Sequence, residues 1–171
     1  MPVDLSLYVI CQQDPEKSRS FHGFDDKPDT CDENNDNFGW HELLALTDLH
    51  DAARGFLVND TVTFKAKIEV KESVSVNDIS PTEGTCTWTI SNFSKLKVNE
   101  WGSKYSDVFS IGGHKWKLWV CPRGRKSEKD KSVSLFLRLA EDRDKLPKDW
   151  QVTADFSLSV ICQHDQEKSY K

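Results

Sequence analysis

One stretch of this sequence occurs twice. Residues 4–18 read DLSLYVICQQDPEKS and residues 155–169 read DFSLSVICQHDQEKS, so that eleven of fifteen positions are identical at an offset of 151. Self-similarity at a fixed spacing is typical of a chain built from repeated structural units. We therefore expect the chain to begin inside one repeat unit and to end at nearly the same point of the next.

A polar segment divides the sequence between the two copies. Residues 71–84 read KESVSVNDISPTEG and combine Pro81 and Gly84 with several Ser, Asn and Asp residues, a composition that favours a linker. This division predicts that residues 1–70 are the C-terminal half of one repeat and that residues 85–171 are the N-terminal half of the next. Neither part is expected to be a whole domain.

The composition indicates a folded protein and gives no reason to expect nucleic acid or a membrane as partner. Of the 171 residues, 37% are hydrophobic and 11% aromatic, which is too many for a disordered chain. The net charge of −5 does not attract nucleic acid or anionic lipid. The sequence starts without a secretory signal pattern and contains no apolar run of membrane-spanning length. We therefore expect a protein that is not secreted and that is located in the cytoplasm, with the nucleus as a second location.

The cysteines do not suggest a metal site, a disulfide framework or an active site. The five are Cys11, Cys31, Cys86, Cys121 and Cys162, and they form no CxxC pair or Cys/His cluster. A catalytic cysteine needs a partly exposed thiol beside a histidine, whereas Cys11, Cys86 and Cys162 occupy inward positions of predicted strands. The sequence therefore predicts reduced thiols, no cofactor, no metal and no enzymatic activity.

Hydrophobic alternation predicts β-strands along much of the chain. From Thr61 to Val70 every second residue is hydrophobic and the residues between are polar, which is the pattern of a strand with one buried face. The same alternation occurs at residues 86–90, 133–139 and 156–162. Gly112 and Gly113 separate two further apolar runs as a two-residue hairpin turn would. Several one-faced strands with short turns predict an all-β, antiparallel β-sandwich.

One segment has a helical pattern. Residues 40–53 read WHELLALTDLHDAA and predict either a short helix or a single helical turn after Asp48. Gly55 is well placed to end such a helix, because glycine readily adopts the left-handed conformation of a helix C-terminus.

Several strings, taken together and in order, resemble the meprin-and-TRAF-homology (MATH, or TRAF-like) domain. They are CTWTISNFSKL at 86–96, YSDVFSIGGHKWKLWVCPRG at 105–124, SVSLFLRLAE at 132–141, DWQVTADFSLSVICQ at 149–163 and NFGWHELLALTDLHDAARGFLVNDTVTFKAKIEV at 37–70. They cover most of the chain outside the linker and the acidic stretch at 25–36. The amino-acid sequence of these strings most resembles that of plant-type MATH proteins, in which tandem copies occur. Some of those proteins also carry a coiled coil, a BTB domain or a ubiquitin-specific protease.

The two halves stand in exchanged order relative to that family. In the family's sandwich the first and last strands are neighbours, so the linker could join them in a circularly permuted single sandwich. Residues 4–12 and 155–163 would then compete for one place in a sheet, and one copy should be left over. The other arrangements are a fragment whose halves need a missing partner and a domain-swapped homodimer in which two chains complete each other.

The resemblance implies a shallow groove on one sheet that binds short extended peptides. Aromatic residues on the polar face of a strand are the expected lining, and Trp119 and Phe136 fit this description because they lie opposite the hydrophobic face of their strands. Both match groove positions of the family, as do Phe38 and Trp40. His22 or Phe24 is expected to match another lining position. The alternative interpretation of Trp119 and Phe136 is that a loop or the duplicated strand covers them.

These features predict a non-catalytic protein-binding module that recognises short peptide segments of other proteins, as an adaptor in ubiquitin-linked regulation. The alternative is a fragment of a tandem-MATH protein or of a ubiquitin-specific protease whose catalytic region lies elsewhere. A degenerate gene product without function is the third interpretation.

Overall fold

The computed structural model describes residues 6–8, 20–22, 30–31, 37–73, 82–100, 102–146, 150 and 152–163. Its strands are β1 (Ser6–Tyr8), β2 (Ser20–His22), β3 (Thr30–Cys31), β4 (Asn37–Ala45), β5 (Thr61–Ser73), β6 (Glu83–Ser91), β7 (Lys104–Tyr105), β8 (Phe109–Ile111), β9 (His114–Cys121), β10 (Ser132–Leu139) and β11 (Val152–Val160). Within the described ranges there is one α-helix, α1 (Leu46–His50), and several short 3-10 turns.

The strands form two main antiparallel sheets. The first sheet has the order β4-β10-β9-β7, and β8 also pairs with β9. The second sheet has the order β3-β11-β5-β6, while β1 and β2 pair with each other separately. Buried residues of both main sheets belong to one hydrophobic core. The predicted all-β, antiparallel sandwich is therefore confirmed.

The alternation in β5 and β11 explains the core of the second sheet. Val62, Phe64, Ala66 and Ile68 are each 0% exposed, and they alternate with polar residues that face away from the core. Leu158 of β11 pairs with Ala66, so the hydrophobic faces of the two strands coincide. Full burial of a valine, phenylalanine or isoleucine side chain contributes roughly 1.5–3 kcal/mol. The one-faced pattern of these strands in the sequence is thus confirmed.

Two glycines form the predicted hairpin turn between β8 and β9. Gly112 and Gly113 have φ angles of 62° and 75°, and Ile111 pairs with His114 across them. Two successive positive φ angles are what a tight hairpin turn requires, and glycine adopts them without a steric penalty.

The helix prediction for residues 40–53 is wrong in its first part. Residues up to Ala45 belong to β4, and α1 comprises only Leu46–His50. The cause is a bulge, because Val133 pairs with Leu44 whereas Leu135 pairs with Trp40, so β4 contains extra residues at this point. The bulge places hydrophobic residues at helix-like spacing within a strand. The helical turn after Asp48 and its termination are confirmed, since Gly55 has a φ of 67° after the 3-10 turn.

Among the described residues, no helix is long and apolar enough to cross a membrane.

Strands from both sides of the predicted linker pair in both sheets. β4 pairs with β10 in the first sheet, and β5 pairs with β11 and with β6 in the second. The strands extend into the segment 71–84, because β5 ends at Ser73 and β6 begins at Glu83. The second repeat copy occupies the place beside β5, while Ser6–Tyr8 of the first copy pairs with β2. The described part of the first copy, Ser6–Tyr8, therefore lies outside the two main sheets.

Candidate functional site

The first sheet carries a group of aromatic side chains on the face turned away from the core. Trp119 of β9 and Phe136 of β10 are cross-strand neighbours with ring centroids 5.1 Å apart. Tyr105 of β7 stacks on Trp119 at 5.8 Å, and the His41 ring meets the edge of Phe136 at 5.1 Å. We call these four residues the outer aromatic cluster. Cross-strand aromatic contacts of this kind stabilise a sheet and also provide a binding surface.

The expected exposure of Trp119 and Phe136 is wrong. Trp119 is 8% exposed and Phe136 is 4% exposed, although both lie in a hydrophobic cluster separate from the main core. Part of the cover comes from the segment that follows β9, because the guanidinium of Arg125 lies 4.5 Å from the centre of the Trp119 ring. The loop, one of the two covers considered from the sequence, therefore contributes to the burial of Trp119.

Positive charges surround the accessible part of this cluster. Arg138 donates a hydrogen bond from Nη1 to the Tyr105 hydroxyl at 2.9 Å, and Lys117 Nζ lies 4.4 Å above the Tyr105 ring. Arg138 and Lys117 are paired across β10 and β9, so they project from the same face. Cations over aromatic faces are attracted by the ring quadrupole. Two cations therefore lie against the Tyr105 side chain at this edge of the cluster.

Two buried nitrogen atoms of the outer aromatic cluster have no hydrogen-bond partner among the residues that the structure describes. They are Trp119 Nε1 and His41 Nδ1. An unsatisfied buried polar atom costs roughly 1–3 kcal/mol, and such atoms are rare in native proteins. Burial lowers the pKa of His41, and the nearby positive charges of Lys126 and Arg125 lower it further. His41 is therefore neutral at pH 7, and the two nitrogens can pair with groups of a bound partner.

Phe38 and Trp40 do not join this cluster. They pair with Leu137 and Leu135 and share the core-facing side of the sheet. Phe38 is 7% exposed and stacks on Phe156 at 5.5 Å, while the half-buried Trp40 lies 5.5 Å from the same ring. The prediction that Phe38 and Trp40 share one surface with Trp119 and Phe136 is therefore wrong. The register of β4 against β10 turns Phe38 and Trp40 to the core.

Gly39 is the residue of β4 that faces Phe136. A Cβ atom at this position would lie 2.5 Å from Phe136 Cα and would overlap the carbonyl oxygen of Leu135. Phe136 therefore packs directly on the β4 backbone. His41, which is also in β4, contacts the Phe136 ring. The sequence did not predict this contact, because the bulge of β4 begins next to His41 and changes the direction of its side chain.

Of the two remaining predicted lining residues, His22 and Phe24, only His22 is among the described residues. His22 is the last residue of β2 and pairs with Ser6 of β1. Phe24 lies outside the described residues. Tyr105 and Arg125 were not singled out from the sequence. The polar residues that follow Tyr105 obscure the strand to which it belongs. Its aromatic ring could nevertheless have indicated a neighbour of Trp119, with which it pairs.

The described thiols are not activated for chemistry. Burial raises the pKa of the Cys86 and Cys121 thiols, and the Cys162 thiol donates a hydrogen bond to the carbonyl of Arg54. A raised pKa disfavours the thiolate, which is the nucleophilic form. Within the described part of the chain, no three His, Cys, Asp or Glu side chains are grouped to hold a metal ion.

Comparisons with known proteins agree on one family. The family model for the MATH domain matches residues 85–171, just over half of the chain. Ubiquitin C-terminal hydrolase 12 of Arabidopsis thaliana is 39% identical over 77 residues, which cover 45% of this chain and 6% of that protein. A MATH domain and coiled-coil domain-containing protein of the same plant is 44% identical over 77 residues, covering 45% of this chain and 22% of that protein.

Another protein of that description is 37% identical over 87 residues, covering 51% of this chain and 30% of that protein. The chain therefore spans less than a third of the length of these relatives. No solved structure matches the chain.

Proposed function

The chain belongs to the MATH domain family, whose members are protein-interaction modules, and we propose that this sandwich recognises short extended peptides of partner proteins without catalytic activity of its own. The observation that carries the proposal is the unpartnered Nε1 of Trp119 within the outer aromatic cluster. A bound peptide that displaces Arg125 from the Trp119 ring would supply a backbone carbonyl to this buried donor.

The chemistry around Trp119 supports a peptide with an acidic character. Lys117 and Arg138 flank the half-buried Tyr105, so a carboxylate of the peptide would find two cations beside an aromatic surface. An extended peptide exposes its own backbone carbonyls along its length, which suits recognition by a fixed donor. His41, which is neutral at pH 7, offers a further hydrogen-bonding nitrogen on the other side of Phe136.

The same proposal extends to the protein that carries this module. We propose an adaptor role in ubiquitin-linked regulation, supported by the 39% identity to Ubiquitin C-terminal hydrolase 12. The alternative is that the chain is part of a tandem-MATH protein or of a ubiquitin-specific protease whose catalytic region lies elsewhere. The match covers 6% of that relative, so most of the hydrolase has no counterpart in the matched region.

Selection of peptides from a random phage-displayed library, followed by fluorescence polarisation with the selected peptides, tests the binding function. Trp119→Phe keeps the aromatic surface and removes the N–H, so affinity should fall roughly three- to tenfold, the equivalent of one hydrogen bond. Trp88→Phe is the matched control, because Trp88 lies in β6 of the second sheet and packs against Phe64 in the core.

Failure to select any peptide, or equal affinity for Trp119→Phe and the unchanged protein, would refute the proposed site. Hydrolysis of a fluorogenic ubiquitin substrate by the purified chain would refute the non-catalytic assignment. We expect no hydrolysis above the rate without protein.

A further inference from the structure

A cavity of about 910 Å³ lies beside α1 and adjoins the outer aromatic cluster at Arg125. Its walls come from α1, from the segment 93–102 after β6 and from the segment 122–130 after β9. Its volume falls in the range of roughly 300–1,000 Å³ that is usual for ligand sites. No part of the proposed peptide-binding function uses this cavity.

The inner wall of the cavity is hydrophobic. The hydrophobic residues that line it are Leu46, Leu49, Phe93, Leu96 and Val98. Leu49 and Phe93 are 1% and 6% exposed and belong to the main core, so this wall is fixed by the packing of the sandwich. Val98, by contrast, is 43% exposed, which makes it one of two strongly exposed large hydrophobic residues in the described part of the chain. An apolar side chain entering the cavity would remove this surface from water.

The rim of the cavity is basic although the chain is acidic overall. Four cationic side chains line it, Arg123, Arg125, Lys126 and Lys129, together with the acidic Glu100 and Asp130. Arg123 is neutralised by Asp130 at 2.8 Å. Lys126 and Lys129 are exposed and form no ion pair with the described residues. These six side chains carry a net charge of +2, whereas the net charge of the whole chain is −5.

From this charge complementarity we infer that the cavity is a second docking site, and that it takes an acidic peptide segment of a partner protein with a large apolar side chain at its centre. The apolar side chain lies against Val98 and the hydrophobic wall, and the flanking carboxylates face Lys126 and Lys129. The proposal does not depend on the outer aromatic cluster. Arg125 lines the cavity and covers the Trp119 ring, and Lys126 lines the cavity and lies close enough to His41 to lower its pKa. Substitution of either residue alone therefore cannot separate the two surfaces, and Trp119→Phe is needed beside the lysine variants.

The test uses fluorescence polarisation with a short fluorescein-labelled peptide in which a central phenylalanine is flanked on both sides by glutamates. Saturable binding is expected below ~1 mM at low salt. Replacing the central phenylalanine of the probe by glycine should weaken binding about tenfold, because the apolar anchor is lost. A probe with lysine in place of glutamate should not bind.

Matched protein variants locate the site. Lys126→Ala with Lys129→Ala should weaken binding about fivefold, the sum of two exposed charge contacts. Lys65→Ala with Lys67→Ala removes the same charge from exposed positions of β5 in the other sheet and should change affinity less than twofold. Val98→Asp should abolish binding, and its exposure allows the variant to fold.

Three results would overturn the inference. They are the absence of saturable binding, equal weakening by the two double-lysine variants, and unchanged affinity in Val98→Asp with a native circular dichroism spectrum. If Val98→Asp does not fold, the comparison of the two double-lysine variants decides. Trp119→Phe should bind this probe normally, which separates the cavity from the outer aromatic cluster.

Discussion

Replacement of Gly39 by alanine should destabilise the sandwich more than its small size suggests. The added Cβ would lie 2.5 Å from Phe136 Cα and would overlap the Leu135 carbonyl oxygen. Both are backbone atoms of the central strand β10, so no side-chain rotation can relieve the overlap, and β4 must move away from β10. Overpacking of this kind costs about 2–3 kcal/mol, a large part of the roughly 5–15 kcal/mol that stabilises a domain.

Urea unfolding followed by tryptophan fluorescence measures this change. A loss of 2–3 kcal/mol corresponds to a lower unfolding midpoint in urea and to a Tm lower by roughly 4–12 °C for a chain of this size. Gly102→Ala is the control, because a Cβ at Gly102 meets no atom within 4 Å. Its φ of 70° costs an alanine about 1 kcal/mol. An unfolding midpoint for Gly39→Ala equal to that of Gly102→Ala would refute the packing of Phe136 on Gly39.

Two further predictions concern titration and thiol reactivity. His114 is 2% exposed, and its burial lowers its pKa from 6.5, although the charge of Glu141 opposes this effect. The histidine therefore binds a proton more tightly in the unfolded chain than in the folded protein. As a result, the free energy of unfolding should fall as the pH drops below about 6.5. Urea titrations from pH 7 to pH 5 should show a shallower fall for His114→Gln, and identical slopes would contradict the assignment. Among the described cysteines, the half-buried Cys86 should be alkylated by iodoacetamide well before Cys121 and Cys162, which are 1% and 4% exposed. Peptide mapping by mass spectrometry follows each thiol, and equal rates for Cys86 and Cys121 would be inconsistent with the structure.

Periodicity predicted β5 of the second sheet well because its pairing with β6 is regular. Along β5 the inward residues from Val62 to Ile68 are fully buried, and no bulge interrupts the pairing with β6. The hydrophobic face of a strand that continues without a register shift can be assigned from every second residue. The class of fold followed from several strands of this kind.

The outer aromatic cluster was predicted only in part, for two physical reasons. The face of Trp119 and Phe136 was assigned correctly. The burial of Trp119, however, depends partly on the segment around Arg125, which folds over its ring, and alternation within a strand carries no information on that. Phe38 and Trp40 were grouped with them by resemblance, whereas the register of β4 against β10 turns both side chains to the core. The register depends on which residues of the partner strand are paired and on where the bulge lies. Neither can be read from the hydrophobic pattern of β4 alone.

The central claim is that strands from residues 37–73 and from residues 83–160 close on each other in one sandwich. Nuclear Overhauser effects on an equal mixture of isotope-labelled and unlabelled protein test it most directly. Cross-strand effects between Ala66 and Leu158 and between Gly39 and Phe136 are expected within one molecule, because these residues are paired in the two sheets. The same effects between labelled and unlabelled molecules would show a domain-swapped dimer, and their absence would contradict the sandwich.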